Sequence, residues 1–228
     1  GPCLASLPIT ALDDYANCPK HFEFGHLCGN PGLGPTISER PGYATRIGDL
    51  VHRALQEGLR GVAELARLDP LLPQDRLAEA AGLVEGFHET LEFAPFRNAI
   101  ARELPVRWTD GSGLGVELRG TADLVGDDWV LDYKTGRHAS KERHRFQLWA
   151  YAQALGVSQA YVADLRAARL LHYPAEELAT AGQEAAALLA EMQAGRFEPR
   201  PDAQRCQACE YRQLCPAATP AEPAPTAI

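Results

Sequence analysis

Lysine is nearly missing from this chain, and so is any positive balance. Only Lys20, Lys134 and Lys141 stand among 22 basic residues, and 30 acidic residues leave a net charge of −8. That balance argues against a general nucleic-acid coat, which is usually basic, while leaving room for a local basic groove. The dominance of arginine is explained as readily by nucleotide bias in a genome as by chemistry. No apolar run approaches the roughly 20 residues that span a bilayer. No basic start leads into an apolar core, as a secretory signal would require. A cytoplasmic location without a membrane partner is therefore expected. No internal repeat and no ATPase motif is visible.

What is present suits a globular protein. The 228 residues are 46% hydrophobic and 23% charged, enough for one medium domain with a real core, or one with a small appendage. Gly1-Pro2 matches the scar left by proteolytic removal of a tag, so the chain is open to being part of something larger. Residues 1–9 read as an N-terminal extension, 10–216 as the domain, with a helical insert at about 62–100. Residues 217–228 are rich in Pro and Ala and read as a disordered tail.

Periodicity places the elements. Residues 10–27 read as a short helix capped by Thr10, followed by an aromatic-rich segment, and 28–44 as loop. Ile47, Leu50, Val51, Leu55, Leu59 and Val62 recur at helical spacing and predict an amphipathic helix over 45–62. Residues 64–98 carry two or more helical patches broken by LDPLLPQ. Residues 102–108, 114–125 and 129–135 alternate in short runs between DGSG and GDD, as a strand meander does. Helix returns at 142–156, QAYVADL and RLLHYP read as two strands, and a last helix runs from Pro174 to Gly195. The order predicts an α/β fold: a central mixed, mostly antiparallel sheet of about five strands flanked by helices.

One hairpin carries unexpected charge. In GTADLVGDDWVLDYKTG, residues 120–136, alternation puts Trp129, Leu131 and Tyr133 on one face and Val130, Asp132 and Lys134 on the other. If Asp127-Asp128 is a two-residue turn, Gly126 pairs with Trp129, and Asp123 sits opposite Asp132. Opposed side chains have Cβ atoms roughly 5 Å apart. Two carboxylates there repel unless a positive group lies between them, and a divalent cation with oxygen ligands meets that need. An exposed hairpin edge on which Asp132 and Lys134 merely pair is the other reading of the same spacing.

Asp123 followed by Asp132-Tyr133-Lys134 resembles the PD-(D/E)XK nuclease signature, with Asp in the D/E position. GTADLV…VLDYKTG is similar to the RecB-like branch, which includes nuclease domains of bacterial helicase–nucleases and the exonucleases of CRISPR adaptation. Upstream, GDLVHRAL at 48–55 resembles the branch's first motif, whose histidine joins the metal shell. His52 lies about 20° beyond Leu59 on a helical wheel, at the edge of the apolar stripe, where it can reach a cleft or stay solvated. Downstream, QLWAY at 147–151 resembles the branch's QxxxY motif, with Gln147 and Tyr151 on one helix face. Arg137, Lys141, Arg143 and Arg145 make 134–147 the densest basic stretch, placed where a phosphate backbone would approach. Glu103 matches a glutamate often found in the branch and is expected to be an outer contact at best.

Six cysteines remain: Cys3, Cys18, Cys28, Cys206, Cys209 and Cys215. The even count permits disulfides, but a reducing compartment favours metal binding. C-x2-C-x5-C at 206–215 offers three thiolates and needs a fourth ligand, for which Cys18 or Cys28 is available. One early cysteine and three at the end resemble the four-cysteine 4Fe-4S "iron staple" of the same branch, which implies Cys18 as the fourth. Zinc is the alternative. Cys3 stays unassigned.

The resemblance covers roughly residues 10–216 and implies metal-dependent hydrolysis of DNA, on single strands and from an end. His52, Asp123, Asp132 and the Tyr133 carbonyl would hold Mg²⁺ or Mn²⁺, Lys134 would position water, and Gln147 and Tyr151 would hold Lys134 or the strand. The implied setting is DNA repair or recombination, or CRISPR adaptation, with a helicase or adaptation proteins as partners. A DNA-end-binding or assembly module, with the cysteine cluster as its centre and little nuclease activity, is the alternative.

Overall fold

Apolar residues recur every three or four positions from Ile47 to Leu55, and there the chain is helical. The computed structural model describes residues 6–32, 42–110, 116–136 and 139–218. In chain order its elements are β1 (Ser6–Pro8), α1 (Ala11–Asn17), α2 (Pro19–Phe22), a π-helical turn (Glu23–Leu27), α3 (Tyr43–Glu57), α4 (Gly61–Leu68) and α5 (Gln74–Glu89). A 3₁₀ segment (Leu91–Phe96) leads to β2 (Ala101–Thr109), β3 (Glu117–Val125) and β4 (Trp129–Lys134). Then come α6 (Lys141–Leu155), β5 (Gln159–Asp164), β6 (Arg169–Tyr173), α7 (Ala175–Gln193) and α8 (Ala203–Ala208). Among the described residues no helix is long and apolar enough to cross a membrane.

The fold is α/β, with a mixed six-stranded sheet flanked by helices. The strand order is β1-β3-β4-β5-β6, with β2 on the other side of β3. The β2–β3, β3–β4 and β5–β6 pairs are antiparallel, and the β1–β3 and β4–β5 pairs are parallel. The sixth strand is β1, in the segment expected to be an extension: Ser6-Leu7-Pro8 pairs with Glu117-Leu118-Arg119. Three residues with one buried side chain, Leu7, are too few to show a period.

The helix expected over 45–62 ends early. Gly58 sits at φ 71°, a left-handed conformation that closes α3, and a new helix starts at Gly61. Leu59 and Val62 still pack on the same core, so their spacing was real although the helix is not continuous. Thr10 does stand at the start of α1, but its side chain makes no capping bond.

The sheet separates two cores. On one face α1, α2, α6 and α7 bury Leu12, Tyr15, Phe22, Leu148, Trp149 and Met192 against Leu118, Val130 and Val162. On the other, α3, α4 and α5 bury Ile47, Val51, Leu65, Val84 and Phe87 against Leu131, Tyr133 and Ala163. Each fully buried large apolar side chain contributes about 1.5–3 kcal/mol, so both helical layers are held by packing rather than by propensity.

Packing is tight where α7 crosses α6. A Cβ at Gly182 would lie 2.5 Å from Nε1 of the buried Trp149, whereas nothing lies within 4 Å of a Cβ at Gly82. Gly182→Val is expected to lower the stability measured by denaturant unfolding by about 1–3 kcal/mol. Gly82→Ala, in an exposed stretch of α5, is expected to raise it by about 0.5–1 kcal/mol.

Candidate active site

The pleat of β2 and β3 slips at one point. Leu118 and Ala122 face the first core, but Leu124 faces the second and Val125 the first again. Strict alternation would keep Ala122 and Leu124 on one face. In β2, Leu104 and Ala101 both pack on the first core, so the slip is shared. The register holds on either side, with Leu104↔Ala122 and Arg102↔Leu124. Between them stand Glu103, at φ 47°, and Asp123. A non-glycine residue in that left-handed region costs of order 1–3 kcal/mol and persists only where its surroundings enforce it.

The turn closes as its two-residue spacing predicts, with the Gly126 N–H donating to the Trp129 carbonyl at 2.9 Å. Leu124↔Leu131 and Val125↔Val130 follow, and the same register sets Asp123 opposite Asp132. There the ladder gives way: the Tyr133 N–H donates to Asp123 Oδ2 at 2.5 Å. A carboxylate replaces a main-chain acceptor, while β4 stays paired to β5 as far as Lys134↔Asp164. Asp123 and Asp132 are only 4% and 3% exposed, which discards the exposed-edge reading of the hairpin.

From α3, His52 Nδ1 stands 3.1 Å from Asp123 Oδ1 and 3.9 Å from Glu103 Oε1. One donor atom each from His52, Glu103 and Asp123 lies within 4.8 Å of the others. Burial, then Asp132, raises the Asp123 pKa, and burial, then Asp123, raises that of Glu103. Burial pulls the His52 pKa down, but the hydrogen bond to Asp123 and the surrounding carboxylates outweigh it, and the net shift is upward. Neighbouring carboxylates contribute to all three shifts, after burial for Asp123 and Glu103. A hard divalent cation with oxygen and imidazole ligands fits this set. Glu103 thus stands closer to the centre than its sequence position implied.

Asp132 sits just outside this group, on the α6 side. Lys134 Nζ lies 2.6 Å from its Oδ2, and Gln147 Nε2 donates to its Oδ1 at 2.8 Å. Lys134 Nζ also reaches Gln147 Oε1 at 3.3 Å. Gln147 Nε2 contacts the Tyr151 hydroxyl at 3.2 Å, and that hydroxyl donates to the Thr121 carbonyl at 2.7 Å. Bare Gly120 makes room for it: a Cβ there would stand 2.8 Å from the Tyr151 oxygen. Burial lowers the Lys134 pKa, but Asp132 raises it further, and Lys134 stays an ammonium. Tyr133 meets the site through its N–H, with its ring packed between His52 and Phe87.

The basic stretch is less available than its sequence suggests. Lys141 Nζ binds both oxygens of Glu177 at 2.7 and 2.8 Å, and Arg145 Nε pairs with Glu184 at 2.9 Å, both on α7. Arg143 is exposed, and Arg137 lies outside the described residues. A cleft of about 940 Å³ opens beside Lys134 and Gln147, and Asp13, Arg143, Arg200 and Arg205 are on its walls. Asp13 went unnoticed in the sequence, where DD at a helix start reads as a capping feature. Burial pushes its carboxyl up to about 7, against the pull of Arg145.

Cys18, Cys206 and Cys209, on the cleft's wall, also border a second, smaller cavity. With Cys215 they line this cavity of about 30 Å³, beside His21 and Tyr211. Cys28 is exposed and is not on its wall, and Cys3 lies outside the described residues. No three of the four sulfurs fall within 4.8 Å of one another. Burial, chiefly, raises the Cys209 thiol pKa, with Cys18, Cys206 and Cys215 adding to it.

Comparison with known proteins agrees with this geometry. A protein of Eubacterium rectale, provisionally called an exonuclease, superposes with a TM-score of 0.62 at 13% identity, over 97% of this chain and 91% of its own. The protein SSO0001 gives a TM-score of 0.53 at 18% identity, over 95% and 88%. At such identities the likeness is one of fold. No curated protein is a significant match to the sequence. The profile of one family, however, spans residues 6–216, from β1 to the last cysteine, and the chain belongs to that family, the PD-(D/E)XK nuclease superfamily.

Proposed function

We propose that this nuclease is a metal-dependent exonuclease acting on single-stranded DNA. The observation that carries the reading is the convergence of His52, Glu103 and Asp123 donors beside a buried Asp132–Lys134 pair. His52, Glu103 and Asp123 would hold Mg²⁺ or Mn²⁺, with Asp132 and the Tyr133 carbonyl as further ligands. When bound, the ion lowers the pKa of a water ligand and neutralises charge on the scissile phosphate. Lys134, whose pKa Asp132 raises against burial, would position that water or donate to a phosphate oxygen. Gln147 fixes both partners, donating to Asp132 and accepting from Lys134. Tyr151 anchors Gln147 to β3 through Thr121. Action from a strand end is supported by the branch resemblance and by the name of the Eubacterium rectale neighbour.

The cysteine set supports a 4Fe-4S cluster. Tetrahedral zinc with sulfurs at about 2.3 Å needs them about 3.8 Å apart. No three of the four sulfurs come within 4.8 Å of one another, so the cluster reading rests on the four-cysteine layout around one cavity and not on a preformed spacing. A bond between Cys18 and the 206–215 segment closes nearly the whole chain into a loop and removes about 5 kcal/mol of unfolded-chain entropy. Roles in DNA repair and recombination or in CRISPR adaptation, with a helicase or adaptation proteins as partners, rest on the motif resemblance alone, and genomic neighbourhood decides between them.

Two experiments test these readings. With Mn²⁺ and end-labelled single-stranded DNA, Asp132→Ala and Glu103→Gln are each expected to cut about 10²-fold more slowly or worse than wild type, with linear strands degraded and circular ones spared. Equal rates for wild type and Asp132→Ala would remove the enzyme reading in favour of a binding module. Purified protein is expected to be brown and to contain iron, and Cys18→Ala to be colourless with a lowered unfolding midpoint. A colourless wild type loaded with zinc overturns the cluster assignment.

A further inference from the structure

The cleft beside Lys134 continues past the site, and of the cations expected there Arg143 is exposed on its wall while two others are paired. Lys141 and Arg145 are neutralised by Glu177 and Glu184 at salt-bridge distances of 2.7 and 2.9 Å. Arg200 and Arg205, which follow α7 and precede Cys206, are also on the cleft's wall. Both reach back to the end of α1. Arg200 Nη1 donates to the Ala16 carbonyl at 2.9 Å and Arg205 Nη1 to the Asn17 carbonyl at 2.6 Å. Their contacts with carboxylates are looser, 3.4 Å to Glu191 and 3.7 Å to Asp202. About half of each side chain is exposed, 46% and 50%. A guanidinium has five N–H donors, so each is tethered by one main-chain carbonyl and keeps donors for another partner.

We propose that Arg200 and Arg205 are the phosphate contacts of the substrate strand, forming a track along the cleft to Lys134. This deepens the nuclease reading and rests on it. The partner is a phosphodiester strand, because the recognising groups are paired guanidiniums, which suit phosphate oxygens, and because the track ends at an ammonium beside the proposed metal ligands. The tethers fix both arginines before the strand arrives, so little side-chain entropy is lost on binding. The carboxylates on the same walls are Asp13, Asp14 and Glu142. Of these Asp13 feels the charges of Arg145 and Lys134.

The test is the salt dependence of binding to a fluorescent single-stranded oligonucleotide, with Ca²⁺ in place of Mn²⁺, using the full chain. Each phosphate contact contributes about 0.7 to the slope of log K against log salt for a single strand. Arg200→Gln with Arg205→Gln removes both charges, and its shorter amides also give up the Ala16 and Asn17 carbonyls. It is expected to lower the slope by about 1.4 and to weaken binding at least tenfold at low salt, while the protein still unfolds in one cooperative transition. Arg67→Gln, on α4 across the sheet, is expected to leave the slope as it is. An unchanged slope in the double variant overturns the track, whatever its affinity, and so does an equal fall in Arg67→Gln. If wild type binds and cuts DNA while the double variant keeps its slope, only the track fails. If wild type neither binds nor cuts, the nuclease reading fails and the track with it.

Discussion

Two carboxylates are buried side by side where β3 and β4 part, and the surroundings are arranged to tolerate them. Removing a carboxylate from water costs several kcal/mol unless it is paired or hydrogen-bonded. Asp123 receives the Tyr133 N–H and His52, while Asp132 receives Lys134 and Gln147. Burial first, and then Asp132, raises the pKa of Asp123, and the carboxylates around His52 raise its pKa against burial. A site in that condition prefers a cation, and the chemistry of a metal-dependent hydrolase starts from that preference.

The hairpin was legible because its two devices are local. A two-residue turn and a side-chain period of two determine which residues oppose one another, so the Asp123–Asp132 juxtaposition follows from counting. The apolar spacing of Ile47, Leu50, Val51 and Leu55 likewise placed α3 and set His52 at the edge of its stripe. Counting failed where the backbone departs from ideality. Glu103 comes to the centre only because it adopts φ 47° at a slip in the pleat, and nothing in ELPVRW announces that. Gly58 could have been read as a helix end, but Leu59 and Val62 continued the pattern across it.

Other features depend on contacts between distant segments. Lys141 and Arg145 looked like free cations because their partners lie 36 and 39 residues away on α7. Asp13, Arg200 and Arg205 carry no local pattern, and they meet only because the end of α1 packs beside the segment after α7. Cys18 and the late cysteines are brought together by the same encounter. Their spacing suggested it, since three thiolates in ten residues ask for a fourth. α6 connects the two regions: its buried face holds Gln147 and Tyr151 in the first core, and its N-terminal turn borders the cleft.

His52 belongs to the opposite layer. It rides on α3, which packs with α4 and α5 on the second core, whereas Gln147 and Tyr151 are anchored in the first. His52 and the Gln147–Tyr151 pair are therefore mounted on opposite faces of the sheet, while Glu103, Asp123, Asp132 and Lys134 stand on the sheet itself. A tilt of the α3–α5 layer by an ångström would detach the imidazole from Asp123 while every strand pairing survives. The place of the imidazole at Asp123 thus depends on how one helical layer packs, and the strand register alone does not fix it.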